Sequence, residues 1–527
     1  MNWARLVLVL LPVAVAAALL VSGDSGADPE TPPALPGMPA PFLGTAVVGD
    51  GGLTAAVDAY GDVVDLRRGP AARALIDNPV ERQLAGSVPA GTGIVPRVRI
   101  DSGSALPLWR ADTVRQRYLP RTNVPVTVAR FAGARIVVKE AAWAGMLAIG
   151  MRAWPRGEGS ATAEVGVDVD RPARCRLDRE VGGLNLVCGV NGDPPRWKPE
   201  RVIAAAARGN RRWLRRARQL GAGAPPWAEQ MYERSLLVLR ALTERGTGVV
   251  AAGARDGWSY VWPRDAATTA LAFAAAGYRP EAERVTRFLL DLGLEGAARF
   301  HGDGSPVAGR AAQGDAIGWV GAAAHAAGIG GARPTARIFS AAHPAPWRQR
   351  SDYREGESGD FLANAIASGV PAGQIAAEFG GAAGLTRTTG HDGGLDSAAA
   401  WAVRPFPRPS LFGAVRRTLL RLSSGAGRFG LVPGEDWTGG EDPWSAPTAW
   451  TAWSLAALAR AERNPVRARA DRRAALRLLA DLRRAATPAG ALPERVDARR
   501  GTPRSTTPLA WSHAFAILAL RELWPPK

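Results

Sequence analysis

Two patterns of apolar and polar positions divide the chain. Between about residues 41 and 193 the apolar residues come in short runs, at 53–57, 63–66, 94–100, 126–131, 136–139, 146–154 and 163–169, with Gly, Pro and Asp between them. Runs of that length and punctuation predict short strands, and together an all-β N-terminal sandwich over 42–195. Beyond 193 the apolar residues recur at helical spacing. The stretches 199–219 and 227–243 are long and Arg-rich, and further helical patterns cover 266–276, 280–292, 316–327, 359–367, 372–379, 410–422, 448–461, 467–485 and 509–522. These are ordinary globular helix lengths. Many similar helices joined by Gly- and Trp-rich loops predict an all-α toroid over 196–527. No strict repeat is visible, which argues against a solenoid.

The N-terminus carries a different signal. Arg5 precedes sixteen uncharged apolar residues, 6–21, and Ser25-Gly26-Ala27 follows as a small-residue cleavage motif. The run is long for a signal core and short for a spanning helix, so residues 1–27 read as either a signal peptide or a membrane anchor. Both place the body of the protein outside the cytoplasm, secreted or anchored. No lipobox cysteine follows. Residues 28–41, rich in Pro, Ala and Gly, read as a linker. The only cysteines, Cys175 and Cys188, have twelve residues between them. In an oxidising compartment a disulfide closing a hairpin is expected, with two buried thiols as the alternative.

Composition bounds the function less tightly. The 527 residues exceed one ordinary core, so two domains are expected. The formal net charge is +18, mostly from dispersed Arg. A nucleic-acid partner would need a recognition motif, and none is found. Association with anionic lipid or cell-wall polymer is compatible with the charge. Eighteen Trp against six Tyr and twelve Phe is an unusual ratio that suits a carbohydrate groove, although core packing accounts for any single Trp.

Five loop segments of the helical half combine carboxylates with aromatics or helix entries. GWSYVWPRDAA (257–267) sets Trp258, Tyr260 and Trp262 beside Arg264 and Asp265. Aromatic faces stack on the CH-rich faces of a sugar, and the charged pair suits its hydroxyls; Asp265 equally suits the first turn of a helix. GRAAQGDAIG (309–318) places Gln313 and Asp315 before a helix, where Asp315 also reads as a cap. SDYREGESGD (351–360) holds Asp352, Glu355, Glu357 and Asp360, a run that equally suits a solvated surface. GLVPGEDWTGGEDPW (430–444) adds Asp436, Trp437 and Trp444. ALPERVDARRGTPRSTTPLAWSH (491–513) puts Glu494 in a Pro-flanked loop and Trp511 at the start of the last helix. Widely separated carboxylates gathered at one end of a helical barrel could supply the two carboxyl groups of glycoside hydrolysis.

In this order the five segments resemble glycoside hydrolase family 15, which contains glucoamylases, glucodextranases and some bacterial trehalases. The resemblance runs from about Trp227 to the C-terminus, and the β-rich half looks like the N-terminal sandwich of prokaryotic members. It implies an (α/α)6 barrel and single-displacement hydrolysis of an α-linked glucoside or related glycan with inversion. Glu494 would be the general base and Glu355 the general acid. Arg264 and Asp265 would hold hydroxyls of the terminal sugar, with Trp262, Asp315, Asp436 and Trp511 in the same substrate-binding pocket. The partner implied is an oligo- or polysaccharide, and no metal or cofactor is required. Two positions depart from the family pattern. Arg354 stands where a Trp is expected, and a guanidinium beside Glu355 would favour its ionised form unless it points away or contacts an acidic substrate. Val432-Pro433 replaces an Arg-Tyr. Glu357 would replace Glu355 if the loop were shifted. A membrane-associated carbohydrate-binding protein with a degenerate, inactive site is the alternative, and a basic polymer-binding scaffold a third reading.

Overall fold

The computed structural model describes residues 38–526, except 40, 42, 78–92, 169–173, 182, 192–193, 195, 331–346 and 392. The apolar segment at 6–21, the cleavage motif and nearly all of the linker lie outside the described residues. None of the described helices is long and apolar enough to cross a membrane.

Thirteen strands precede the first α-helix described. One sheet has the order β1-β2-β3-β5-β11 (Gly44–Gly49, Thr54–Asp58, Val63–Arg67, Gly93–Ile100, Ala161–Asp168), with β4 (Ala74–Asp77) on β3 and β6 (Ala105–Pro107) on β5. The other runs β12-β13-β10-β9-β8-β7 (Arg174–Glu180, Gly183–Gly189, Met146–Pro155, Ala134–Trp143, Pro125–Arg130, Thr113–Tyr118). The pairings are antiparallel, and the apolar core between the sheets joins Val48, Ile94 and Val98 of one to Ile136, Leu147 and Ile149 of the other. β1, β2 and β3 are buried along their whole length. Their second face, Val47, Ala56 and Val64, joins the core of the helical half. A strand covered on both faces reads as a continuous apolar run, which is how 53–57 and 63–66 appear in the sequence. By contrast, β7 alternates exposed and buried residues and sits at a sheet edge.

The sandwich buries an acid that no described residue pairs. Glu140, on β9, has no hydrogen-bonding partner for its carboxylate oxygens among the described residues. Burial first, and then the charge of Asp58, push its pKa well above the ordinary value. A carboxyl whose folded pKa is raised subtracts stability as pH climbs above its unfolded pKa. Glu140→Gln is therefore expected to melt at higher temperature than the parent at about pH 8, with the difference vanishing towards pH 4. Thermal melts across that range check this, and a pH-independent difference would remove the assignment.

Eleven α-helices follow among the described residues: α1 (Pro199–Leu214), α2 (Pro226–Ala241), α3 (Pro263–Ala275), α4 (Arg279–Leu290), α5 (Ala316–Ala327), α6 (Leu362–Ala367), α7 (Ala372–Phe379), α8 (Phe412–Ser424), α9 (Ser445–Ala461), α10 (Pro465–Ala485) and α11 (Ala510–Leu523). A 3-10 turn, Ser397–Ala402, takes a helix-like place among them; Asp396 caps it through Ala398 N–H. Five of the helices and this turn pack in cyclic order: α3 on α5, α5 on α6, α6 on the turn, the turn on α9, α9 on α11, and α11 back on α3. Others lie against them, with α2 on α11, α4 on α3 and α5, α7 on α6, α8 on the turn and α10 on α9. Ala-rich sequence permits close approach; Gly318 on α5 sits so near the Ala367 carbonyl that a Cβ would clash with it.

Aromatic rings fill the centre. Trp319, Trp401, Trp450 and Phe515 meet edge to face at 5.0–5.7 Å. Tyr353 and Trp511 each pack on Trp450, at 5.2 and 5.4 Å. Several of the eighteen tryptophans are thus core residues rather than groove residues.

Candidate active site

Above this aromatic floor lies a cavity of about 340 Å³ lined by Trp262, Arg264, Asp265, Glu355, Glu494 and Trp511, together with Trp258, Arg310, Arg354, Trp444, Arg495 and Ser505. Its size falls at the small end for ligand pockets. Larger cavities elsewhere, such as one of about 510 Å³ beside Arg115 and Arg117, contain none of the motif carboxylates.

The position of each group follows from local structure. Trp262 immediately precedes α3, whose first residue is Pro263, so Arg264 and Asp265 occupy the first turn. The helix-entry reading of this segment holds, and Arg264 and Asp265 also line the cavity. Arg264 Nη1 donates to Asp315 Oδ2 at 2.7 Å and to Gln313 Oε1 at 3.2 Å, and its guanidinium lies 4.6 Å from the Trp511 ring centroid. Arg264 and Asp315 are 3% and 0% exposed, so the pair is desolvated. Asp315 thus lies behind Arg264 and does not line the cavity. Burial moves the Asp265 pKa up to about 7; Arg264 opposes this, and Glu494 and Asp315 add to it.

Glu494 sits in the loop between α10 and α11. Its N–H donates to Thr506 O at 3.0 Å, and its carbonyl accepts from Ser445 N–H at 2.9 Å, tying the loop to the start of α9. The buried neutral His513 accepts from Leu492 N–H at 2.9 Å and holds the chain two residues before the glutamate; burial and then Arg234 push its pKa down to about 3. Ser505 Oγ donates to Glu494 Oε2. Burial raises the Glu494 pKa, while Ser505, Arg495, Trp258 and Arg310 pull it down.

Glu355 stands in a tight turn, with its N–H donating to Asp352 O at 3.1 Å. Its φ of 53° is left-handed, a strained state for a non-glycine residue, and Gly356 continues the turn at φ 105°. Trp262 Nε1 donates to Glu355 Oε1 at 2.7 Å, and Arg310 forms an ion pair with Oε2. The turn also separates Glu355 from its sequence neighbours. Arg354 points away from it, pairing with Asp396 at 2.6 Å and Asp436 at 2.8 Å. Glu357 is 74% exposed and pairs with Arg387. Asp436, expected in the pocket, is engaged by Arg354 and does not line the cavity. The guanidinium on Glu355 is Arg310, a residue the sequence reading passed over, although it lies in the same segment as Gln313 and Asp315. Ser505 was likewise passed over within the segment of Glu494. Cys175 and Cys188 line no part of this cavity; they lie opposite one another on β12 and β13 and are joined as a disulfide.

Two carboxylates on one cavity, flanked by indole faces and a buried Arg–Asp pair, are the equipment of a glycoside hydrolase. The comparisons with known proteins narrow this class. Residues 226–296, spanning α2 to α4 and including the WPRD segment, match the model of glycosyl hydrolases family 15. In fold the chain is similar to a bacterial glucoamylase crystallised with acarbose, with a TM-score of 0.69 at 12% identity over 95% of this chain and 96% of that one. Glucoamylase from Saccharomycopsis fibuligera superposes at TM-score 0.44 and 14% identity over 56% and 94%. The family 15 glucoamylase from Hypocrea jecorina gives 0.42 and 14% over 56% and 72%. No curated protein shows significant sequence similarity. The family match over residues 226–296 and the shared fold support a glycoside hydrolase similar to those of family 15.

Proposed function

We propose that the protein is an inverting hydrolase of an α-linked glucoside or related glycan, built on an (α/α)6 barrel and acting outside the cytoplasm. The observation that carries the reading is the meeting of Glu355 and Glu494 at one cavity with Arg264, Asp265, Trp262 and Trp511. The cyclic packing of five helices and a 3-10 turn supports the barrel. In the proposed reaction Glu494 takes a proton from water, the water oxygen attacks the anomeric carbon, and the glycosidic C–O bond breaks. The leaving oxygen receives the proton of Glu355. Arg264 and Asp265 grip the terminal ring, and Trp262 and Trp511 supply apolar faces. Asp315 serves by holding Arg264, and Asp436 by holding Arg354. The disulfide and the apolar segment at 6–21 support export, by cleaved signal or membrane anchor.

The direct test is an NMR time course on a panel of α-linked disaccharides. The first product is expected to be the β-anomer, which then mutarotates. An α-anomer as first product would sink single displacement. The contact of Arg310 with Glu355 favours a second reading, a glycan-binding protein without turnover. Saturable glycan binding with no sugar released from any panel member would establish it.

A further inference from the structure

The guanidinium groups of the cavity are not equally matched. Arg264 is neutralised by Asp315, and Arg354 by Asp396 and Asp436, all buried or turned away from the cavity. Among the described residues Arg310 pairs with Glu355, the proposed acid, and acts at longer range on Glu494; its side chain is 44% exposed. Arg495 acts electrostatically on Glu494. Glu355 must carry a proton to donate one, and a guanidinium in contact with it favours the ionised form. With this contact in place the acid is held in the wrong state for catalysis.

We propose that the substrate is an acidic glycan bearing a carboxylate on the leaving-group sugar, and that this carboxylate draws Arg310 off Glu355. The proposal rests on the hydrolase reading and specifies its substrate class. The chemistry favours a carboxylate because the group Arg310 now holds is one, and a guanidinium fork accepts two carboxylate oxygens side by side. The position follows from Glu355, whose proton goes to the glycosidic oxygen, so a partner competing for Arg310 lies near that oxygen. Released from Arg310, Glu355 binds its proton more tightly. Substrate binding would then arm the acid, and neutral glycans would leave it paired.

The test compares kcat/KM for α-linked disaccharides with those for the same disaccharides carrying a uronic acid as the leaving sugar. Wild type is set against Arg310→Met and Arg310→Lys. Wild type is expected to prefer the acidic member about 10- to 100-fold. Arg310→Met should bring that ratio close to one, and Arg310→Lys should keep part of it. With neutral substrate, the alkaline limb of the pH profile should move up in Arg310→Met, a shift that simple loosening of the loop would not give. A wild-type ratio near one, or a ratio unchanged in Arg310→Met, overturns the proposal and leaves the hydrolase reading standing. If no disaccharide is cleaved, the hydrolase reading fails, and calorimetric binding of glucuronate against glucose still decides the anion. Tighter glucuronate binding lost in Arg310→Met supports the carboxylate site; equal binding removes it. Melting temperatures of both variants, together with Arg495→Met, establish that the proteins are folded.

Discussion

Glu494→Gln is expected to lower kcat by about 10²–10⁴, with KM changed only a few-fold. The amide keeps the shape of the carboxylate and can still meet Ser505, so the loop tied by Thr506 and Ser445 should stay in place. Only the ability to take a proton from water is lost. Burial places the Glu494 pKa above that of an ordinary carboxylate. A base must be ionised, so the acid limb of wild-type activity should also lie above the ordinary carboxylate range, and the residual activity of Glu494→Gln should lack that limb. Glu355→Gln should differ in kind. Its loss should be as large on a disaccharide and much smaller on an aryl glycoside whose phenol leaves without protonation. Activity of Glu494→Gln within three-fold of wild type would end the assignment of the base, and equal losses of Glu355→Gln on both substrates would end that of the acid.

What the sequence made legible depended on whether a property is local. Helices were readable because their apolar period is local, and each of the eleven α-helices described overlaps a stretch picked out by spacing. The 3-10 turn at 397–402 escaped because all six of its residues are buried, so it shows no apolar–polar alternation. Strand β12 shows no apolar run because it is Arg-rich with most side chains exposed, and its hairpin with β13 is signalled in the sequence by the cysteine spacing alone. In the site, the order of the five segments identified the loops but not the directions of their side chains. Arg354 adjoins Glu355 in the chain, yet the left-handed turn sends the two apart. Arg310 and Glu355 meet across two loops, a contact that no local pattern encodes. Asp315 and Asp436 stand out in the sequence as loop acids but not as the counter-charges of buried arginines, because that depends on which face of each loop meets the cavity.

Asp315→Ala is expected to destabilise the helical half by about 3–5 kcal/mol, more than any substitution on the cavity surface. The reason is what it leaves behind. Arg264 is 3% exposed, and without Asp315 its remaining side-chain contacts among the described residues are the Gln313 amide oxygen and the Trp511 ring, with the Asp265 carboxyl, its own pKa pushed up to about 7, acting at longer range. None of these compensates a full charge withdrawn from water. Replacing both partners, as Arg264→Met with Asp315→Leu, removes the charge along with its counter-charge. That double variant should recover most of the loss, since well-packed apolar groups can match a buried ion pair in stability. Its activity should not recover. Without Arg264 the terminal sugar loses a charge-assisted donor, and kcat/KM should stay about 10- to 100-fold below wild type. Urea unfolding and kcat/KM measured on the wild type and both variants separate the two quantities. If the double variant proved as unstable as Asp315→Ala, the cost would lie in packing at α3 rather than in the stranded charge. If it were stable and fully active, Arg264 would be a structural residue, and the grip on the terminal ring would fall to Asp265 alone.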